Sequence, residues 1–347
     1  MDFRCFGSLD LEVPAAGVIL TGDNAQGKTS VLEALCVLIR LHSPRSHRMG
    51  ILARIGSAGF GIAGDSWGVE RQVRYSRDGL VLRADDEPCA SSNAYLEDGG
   101  LVVWMGNEDL DLIRGPGEGR RRYLDFIGAQ TDSAYRRSWS RYRRALRAKN
   151  LLLKEGRTRD AEILSYEEIL AEHGTRIMEI RSRLVEELAP LAADAQRAVS
   201  GKDEPLTLHY LPASGPNLRE SMLQAREREI RLRQTVVGPH RDELLLRLHG
   251  VPAADFASEG QQRTVALALK LAQGRLLEFR GGKSPIYLMD DIFGDLDPRR
   301  RNALMHHLPP LAQKWITTTH TDWLQETPAL REILRVTVRA GKCMTDD

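Results

Sequence analysis

The segment GDNAQGKT at residues 22–29 constrains this chain more than any other stretch of its sequence. It matches the pattern Gly-x-x-x-x-Gly-Lys-Thr in full, and in such a loop the backbone N–H groups and the lysine surround a chain of phosphates. Residues 17–20 before it form an apolar run, and apolar residues recur at helical spacing from Val31 to Ile39 after it. The sequence therefore predicts strand, loop and helix in the order that phosphate binding at a helix N-terminus requires.

The composition is that of an ordinary globular protein with room for two domains. Of 347 residues, 42% are apolar and 28% charged, and 49 basic against 48 acidic residues leave a net charge of +1. Attraction to nucleic acid therefore has to come from a local cluster of charge. The four cysteines lie far apart without a CxxC pair, which favours the reducing cytoplasm over a disulfide framework or a zinc site. We expect neither export nor a membrane span, because no signal-like N-terminus and no apolar run of about 18 residues occurs.

The chain is predicted to be an α/β domain that contains an inserted helical domain. Alternation over residues 9–13 predicts a strand, and three later segments predict strands of one mixed sheet, at residues 69–75, 80–83 and 101–105. Residues 120–200 contain a single proline, Pro190, and are rich in Ala, Leu, Glu and Arg, which predicts two or three long helices. The predicted segments are 1–118 and 235–347 for the α/β domain and 119–234 for the insertion.

A pair of carboxylates follows a second apolar run, at residues 286–289. This is the form of a buried strand that delivers an acidic side chain to bound Mg²⁺. We predict that Asp290 and the Thr29 hydroxyl hold the metal and that Lys28 contacts the outer phosphates of ATP. Asp291 should point the other way if the strand continues, where it could orient or deprotonate the attacking water.

Three further segments resemble parts of ABC-type ATPases. Residues 258–262, Ser-Glu-Gly-Gln-Gln, precede a predicted helix and resemble the ABC signature motif, residues 294–297 resemble the D-loop, and His320 resembles the switch histidine. In ABC ATPases the signature motif faces the phosphate loop of another unit, so one copy of each motif implies a head-to-tail homodimer with two ATP sites. The predicted fold is an α/β, ABC-type P-loop ATPase head with a helical insertion.

The candidate residues follow from these motifs. The catalytic candidates are Lys28, Ser258, Asp291 and His320. The nucleotide-contacting candidates are Gly22, Asp23, Asn24, Ala25, Gln26, Gly27, Lys28, Thr29, Ser30, Ser258, Glu259, Gly260 and Gln261.

Nearly the whole chain resembles the RecF family of recombination mediators, which are related to Rad50 and SMC proteins. The resemblance is carried by short segments along the chain, at residues 2–4, 22–29, 43–46, 107–110, 121–125, 146–154, 238–242, 258–264 and 290–291. It implies an ATP-dependent DNA-binding protein that works with RecR, RecO and RecA to load RecA at single-stranded gaps.

The chain departs from the family pattern at three points. Family members carry a strand before the Phe3-Arg4 element, so the first strand of the sheet is expected to be incomplete. Asn107 stands where proline is usual. Asp291 stands where ABC proteins usually have glutamate, which implies slow hydrolysis.

Three alternatives stay open. A transporter subunit would use the same ATP chemistry, but its signature motif would have a serine followed by two glycines and a glutamine. A Rad50 or SMC head would need hundreds of heptad residues in the insertion. An ATP-gated scaffold with negligible turnover, in which Asp291 merely holds Mg²⁺, would share every motif.

A basic tract lies within the predicted insertion. Residues 136–149 contain seven basic residues and no acidic one, with Trp139 and Tyr142 between them. We predict DNA-phosphate contacts from four arginines at near-helical spacing, Arg137, Arg141, Arg144 and Arg147. A protein partner or a solvated helix face would account for the same pattern.

Overall fold

The architecture comes from a computed structural model that describes residues 1–46, 48–156, 160–327, 330 and 333–345. The strands are β1 (Gly17–Thr21), β2 (Phe60–Ser66), β3 (Val69–Ser76), β4 (Gly79–Ala84), β5 (Glu87–Pro88), β6 (Val102–Gly106), β7 (Leu206–Leu211), β8 (Glu243–Leu248), β9 (Val251–Pro252), β10 (Ile286–Asp290), β11 (Lys314–Thr317), β12 (Leu334–Arg339) and β13 (Lys342–Thr345). The helices are α1 (Lys28–Arg40), α2 (Ser92–Glu97), α3 (Asp111–Arg114), α4 (Gly117–Thr131), α5 (Ser133–Glu155), α6 (Asp160–Ser200), α7 (Leu218–Leu232), α8 (Ala253–Phe256), α9 (Glu259–Gly281) and α10 (Pro298–His307).

The main sheet is parallel except at one edge. Its order is β13-β12-β1-β11-β10-β6, and only β13 runs antiparallel to its neighbour. All five residues of β1 are buried, as are those of β6, which is expected of parallel strands covered on both faces. The predicted strands at residues 17–20, 101–105 and 286–289 are confirmed within one residue. They place the ends of β1 and β10 close together at one edge of the sheet.

The mixed sheet predicted for residues 69–105 is wrong. β3 and β4 belong to a separate antiparallel sheet of order β2-β3-β4-β5, whereas β6 pairs with β10 in the main sheet. Only alternate residues of β3 are buried, and its Val73 packs with Leu38 of α1. A strand with one solvated face suits an antiparallel sheet, while the fully apolar β6 needs cover on both sides.

The strand predicted at residues 9–13 is also wrong. The exposure of its side chains does alternate, since Leu9, Leu11 and Val13 are half-buried and the acidic residues between them are exposed. However, a groove of about 510 Å³ lies between this segment and β2, so the backbone has no ladder partner there. The family-based expectation of an incomplete first strand remains a prediction.

Contacts between Cα atoms divide the chain into two compact units. The first comprises residues 1–109, 195–202 and 267–347, and the second comprises 110–194 and 203–266. The division at residues 118 and 234 given above stays a prediction, and its segments include residues outside the described range, at 47, 157–159, 328, 329, 331, 332, 346 and 347.

The second unit contains α4, α5 and the part of α6 up to Asp194, and these helices confirm the predicted long helices. Its apolar cluster includes Tyr135, Tyr142 and Ile177. Its buried charges are paired: the Lys149 ammonium lies 2.6 Å from the Glu229 carboxylate and 3.1 Å from that of Glu167. Among the described helices, none combines the length and apolar character that crossing a membrane requires.

Candidate nucleotide site

The phosphate loop is a tight turn that depends on its glycines. Gly22 and Gly27 have φ values of 134° and 109°, in the region that side chains disfavour. A Cβ on Gly22 would lie 2.4 Å from the carbonyl oxygen of Val338 in β12. The Lys28 ammonium is buried and donates to the carbonyl oxygens of Gly22 and Asp23, at 2.6 and 2.8 Å. The loop thus curls around the lysine that the sequence assigned to phosphate contact.

A cleft of about 620 Å³ opens in front of this loop. The loop and the first residues of α1 form one side of the cleft, from Asn24 to Ser30. The other lining residues are Arg4, Cys5, Arg45, Ile51, Ala53, Ile55, Asp291 and Thr317. Seven of the predicted nucleotide contacts therefore line one cavity together with the predicted base Asp291. The far wall combines two arginines with exposed isoleucines, a surface that can accept both phosphate charge and an apolar ring.

Asp290 is the last residue of β10, and its carboxylate accepts hydrogen bonds from two threonine hydroxyls. The hydroxyls of Thr29 and Thr317 each donate to its Oδ1 at 2.7 Å. Burial raises the pKa of Asp290 above its ordinary value, and these two hydrogen bonds oppose the shift. Thr29 and Asp290 offer a hydroxyl and a carboxylate, both oxygen donors of the kind that Mg²⁺ prefers. The residues present therefore fit a magnesium ion at this point.

Asp291 does not continue the strand. Its φ is 52°, and its N–H donates to the carbonyl and to the hydroxyl of Thr317, at 3.2 and 2.9 Å. The expectation that Asp291 points away from Asp290 assumed an unbroken strand, and the left-handed backbone instead places Asp291 in the wall of the cleft. Burial lowers the pKa of Lys28, while the charges of Asp291 and Asp290 oppose that shift. The positive φ of Asp291 is a strained conformation, and residues in strained conformations cluster at functional sites.

Glu108 is a further carboxylate near this edge of the sheet. Gly106 of β6 lies in register with Asp290 of β10, and the Trp104 indole N–H donates to Glu108 Oε1 at 2.7 Å. Glu108 also contributes to the raised pKa of Asp290. Residues 107–110 carry part of the family resemblance, but their sequence predicts no role for them. An acidic residue just past a buried strand that neighbours β10 was the signal that could have found it.

The predicted signature residues begin helix α9. The Ser258 hydroxyl accepts from the Gln261 N–H at 3.3 Å, and the Gln261 side chain accepts from the Ser258 N–H at 2.9 Å. This reciprocal pair is a capping box. Ser258 and Glu259 are exposed, and Gly260 and Gln261 are half-buried. The N-terminus of this long helix is therefore ordered and accessible.

His320 is exposed and is not among the residues that line the cleft. It follows β11, and its backbone is fixed by Thr318, whose hydroxyl donates to the His320 carbonyl at 2.8 Å. Its role as a switch histidine remains a prediction.

Helix α5 presents the predicted arginines on its open face. Arg137, Arg141, Arg144 and Arg147 are all exposed, and no carboxylate among the described residues forms an ion pair with them. The aromatic residues between them belong to the core instead. Trp139 stacks on Tyr142 with ring centroids 6.1 Å apart, and the Tyr142 hydroxyl bonds to His240 Nδ1 at 2.6 Å. The helix thus offers charge on one face and no free aromatic platform.

Comparison with known proteins gives a consistent result. No protein-family model matches the chain. A curated relative from a Cyanothece species, the DNA replication and repair protein RecF, is 34% identical over 366 residues, which cover 98% of this chain and 97% of that protein. The chain belongs to the RecF family.

Solved structures agree with this assignment. The recombination mediator protein RecF-ATPrS in the RecFOR pathway has a TM-score of 0.88 and 26% identity, with 100% of this chain and 96% of that RecF chain covered. The Smc head domain from Pyrococcus furiosus has a TM-score of 0.55 and 17% identity, covering 99% of this chain and 94% of that one, and shares the fold alone. The predicted α/β, ABC-type head and the predicted RecF resemblance are both confirmed.

Proposed function

We propose that this RecF-family chain is an ATP-dependent DNA-binding protein of recombinational repair and that ATP and Mg²⁺ close it into a homodimer. The observation that carries the proposal is the hydrogen bond between Thr29 and Asp290 beside the phosphate loop. It brings the two predicted magnesium ligands together from residues far apart in the sequence. Relatives that carry the name RecF, one of them described with ATPrS, support ATP as the nucleotide.

Each side chain of the cleft has a proposed part in the reaction. Thr29 and Asp290 would hold a magnesium ion, which would neutralise phosphate charge. Lys28 leaves its loop carbonyls for the outer phosphates, and Asp291 orients or deprotonates water from the cleft wall. His320 would contact the outer phosphate only after closure. Because aspartate reaches less far than glutamate, we propose slow hydrolysis that serves to release the closed state.

The second half of each site is proposed to come from another copy of the chain. The accessible N-terminus of α9 presents backbone N–H groups, a helix dipole and the Ser258 hydroxyl, all suited to an anion. We place Ser258 to Gln261 of one protomer on the phosphate that Lys28 of its partner holds. Two such sites would form in a symmetric dimer, with ATP between the protomers.

The closed dimer is proposed to hold duplex DNA at gaps and junctions without reading its sequence. The exposed arginines of α5 support phosphate contacts. By family resemblance, the chain would act in the cytoplasm with RecR and RecO to load RecA.

The decisive experiment is the molar mass by light scattering without nucleotide, with ADP, and with ATP under slow-hydrolysis conditions. We expect a dimer only with ATP, and a monomer for Ser258→Arg that still binds ATP. Ser165→Arg, at an exposed serine of α6, is the matched control and should dimerise. A mass indifferent to ATP would exclude the composite site. Turnover measured on the same samples separates a slow ATPase from a scaffold without hydrolysis.

A further inference from the structure

The hairpin of β12 and β13 touches the phosphate loop directly. Its two-residue turn, Ala340 and Gly341, has φ values of 49° and 71°, positive at both positions as tight hairpin turns require. The ladder closes at the pair Arg339 and Lys342, so the Ala340 N–H lies outside it. That N–H donates to Gln26 Oε1 at 2.6 Å. The residue before Gly27 of the phosphate loop is therefore tied to the far end of the chain.

The surroundings of the loop leave it little freedom. Its first glycine is pressed against the backbone of β12, and a Cβ on Gly27 would lie 2.6 Å from the Cys5 sulfur. A Cβ on Gly341 would lie 3.2 Å from the Cys5 carbonyl oxygen. The loop thus lies between the hairpin turn and the turn at residues 4 and 5. The two turns also lie next to each other, at Gly341 and Cys5.

We propose that Gln26 is a positioning residue for phosphate binding and that the β12–β13 hairpin turn is thereby part of the nucleotide site. The inference rests on the proposed function, since it concerns how the same loop binds phosphates. Ala25 and Gly27 on either side of Gln26 have φ values of 62° and 109°. A backbone in this conformation is held by its surroundings rather than by its own preference. The hydrogen bond to Ala340 holds the Gln26 side chain against the turn and keeps the neighbouring N–H groups directed into the cleft.

The test is the dissociation constant of Gln26→Met, which keeps the length of the side chain but removes the acceptor. We expect binding to weaken about tenfold. The loss should be equal for ATP, ADP and tripolyphosphate, because the contact acts on the phosphate loop and not on the base. Gln72→Met, the same change on β3, should leave all three constants unchanged. Wild-type affinity in Gln26→Met, or a loss confined to ATP, would overturn the proposal.

A second variant approaches the same contact from the hairpin. Gly341→Ala places a Cβ at positive φ and displaces the turn while Gln26 is intact. We expect Gly341→Ala to weaken binding about threefold. The double variant should bind no more weakly than Gln26→Met alone, because both changes disrupt the same contact. Losses that multiply would show that the two residues act separately and would overturn the proposal. If the wild type binds none of the three probes, the proposed function itself fails, whereas normal wild-type binding with an indifferent Gln26 refutes this inference alone.

Discussion

The half-buried carboxylate of Asp290 lowers the folding stability of the chain when no cation is bound. Burial raises its pKa, so the folded chain binds a proton there more readily than the unfolded chain does. Ionisation therefore costs folding free energy as the pH rises through the folded-state pKa, and the cost is absent below the unfolded-state value. A magnesium ion would offset this cost.

Asp290→Asn should consequently be more stable and less functional. The amide oxygen can still accept from Thr29 and Thr317, but the half-buried charge is gone. Without Mg²⁺ at pH 7 we expect the thermal midpoint to rise by about 2 °C, with magnesium-dependent ATP binding lost. Asp10→Asn, at an exposed position, should change neither quantity. A midpoint that falls in Asp290→Asn would contradict the cost assigned to this carboxylate.

We expect His240 to make the stability of the second unit sensitive to acid. Burial lowers its pKa from 6.5 to about 4, while its bond to the Thr235 carbonyl opposes the shift. The unfolded chain therefore takes up a proton that the folded chain refuses. Stability from this residue is present above pH 6.5 and is lost as the pH falls toward 4, on the order of 3 kcal/mol in all.

The corresponding measurement is the thermal midpoint between pH 7 and pH 4.5. His240→Gln, which cannot titrate, should lose less stability over this range than the wild type. The exposed His209, changed to Gln, provides the control and should follow the wild type. Parallel curves for all three proteins would mean that His240 does not set the acid limit.

At the scale of single residues, the sequence predicted which side chains line the site but not the direction in which Asp291 points. The loop pattern places Lys28 and Thr29 because the spacing itself defines the turn. The direction of Asp291 depends on a positive φ that its N–H bonds to Thr317 maintain. No pattern within residues 286–291 reports a partner 26 residues further along the chain.

Among the elements, helix α5 joins a packed face and a charged face. Its buried residues recur along one side, from Tyr135 through Tyr142 and Lys149 to Leu152. The four predicted arginines lie on the exposed remainder. A chain whose net charge is only +1 therefore carries a local basic stripe.

Replacing that stripe should weaken DNA binding in a salt-dependent way. We expect the quadruple glutamine variant of Arg137, Arg141, Arg144 and Arg147 to lose affinity for all DNA sequences alike. The slope of affinity against salt should fall by roughly 0.9 for each phosphate contact removed. The control removes the same charge from other exposed arginines of the unit, Arg176, Arg183, Arg219 and Arg228. An equal loss in both variants would mean that α5 is not the DNA-binding face.

Elements were predictable where their burial pattern was complete. The long helices and the strands buried on both faces follow from the apolar pattern alone. Residues 9–13 alternate as a strand does, yet a strand also needs a neighbour, and the groove beside β2 provides none. The assignment of β3 and β4 to a second sheet failed for the same reason, since pairing depends on distant segments.

For the whole molecule, the central question is whether an ATP site needs two chains. The phosphate loop, Asp290 and Asp291 meet within one chain, and the hydroxyl of the signature serine Ser258 accepts a hydrogen bond from the Gln261 N–H at the start of α9. If Ser258 completes the site of a partner, each site takes its Lys28 from one chain and its Ser258 from the other chain. A mixed dimer of one chain defective in Lys28 and one defective in Ser258 would then contain one site with both defects and one site with neither.

Mixing two inactive variants therefore tests the architecture directly. Lys28→Ala and Ser258→Arg should each lack ATPase activity and fail to dimerise, whereas a mixed dimer has one intact site that ATP can close, so an equimolar mixture should regain at most about half of the wild-type sites. The double variant mixed with wild type is the matched control, since it places both defects in one chain. It puts one defect in each site of a mixed dimer, so no such dimer should form and the activity of the added wild type should stay unchanged. No recovery in the first mixture would contradict a site that is built from two chains.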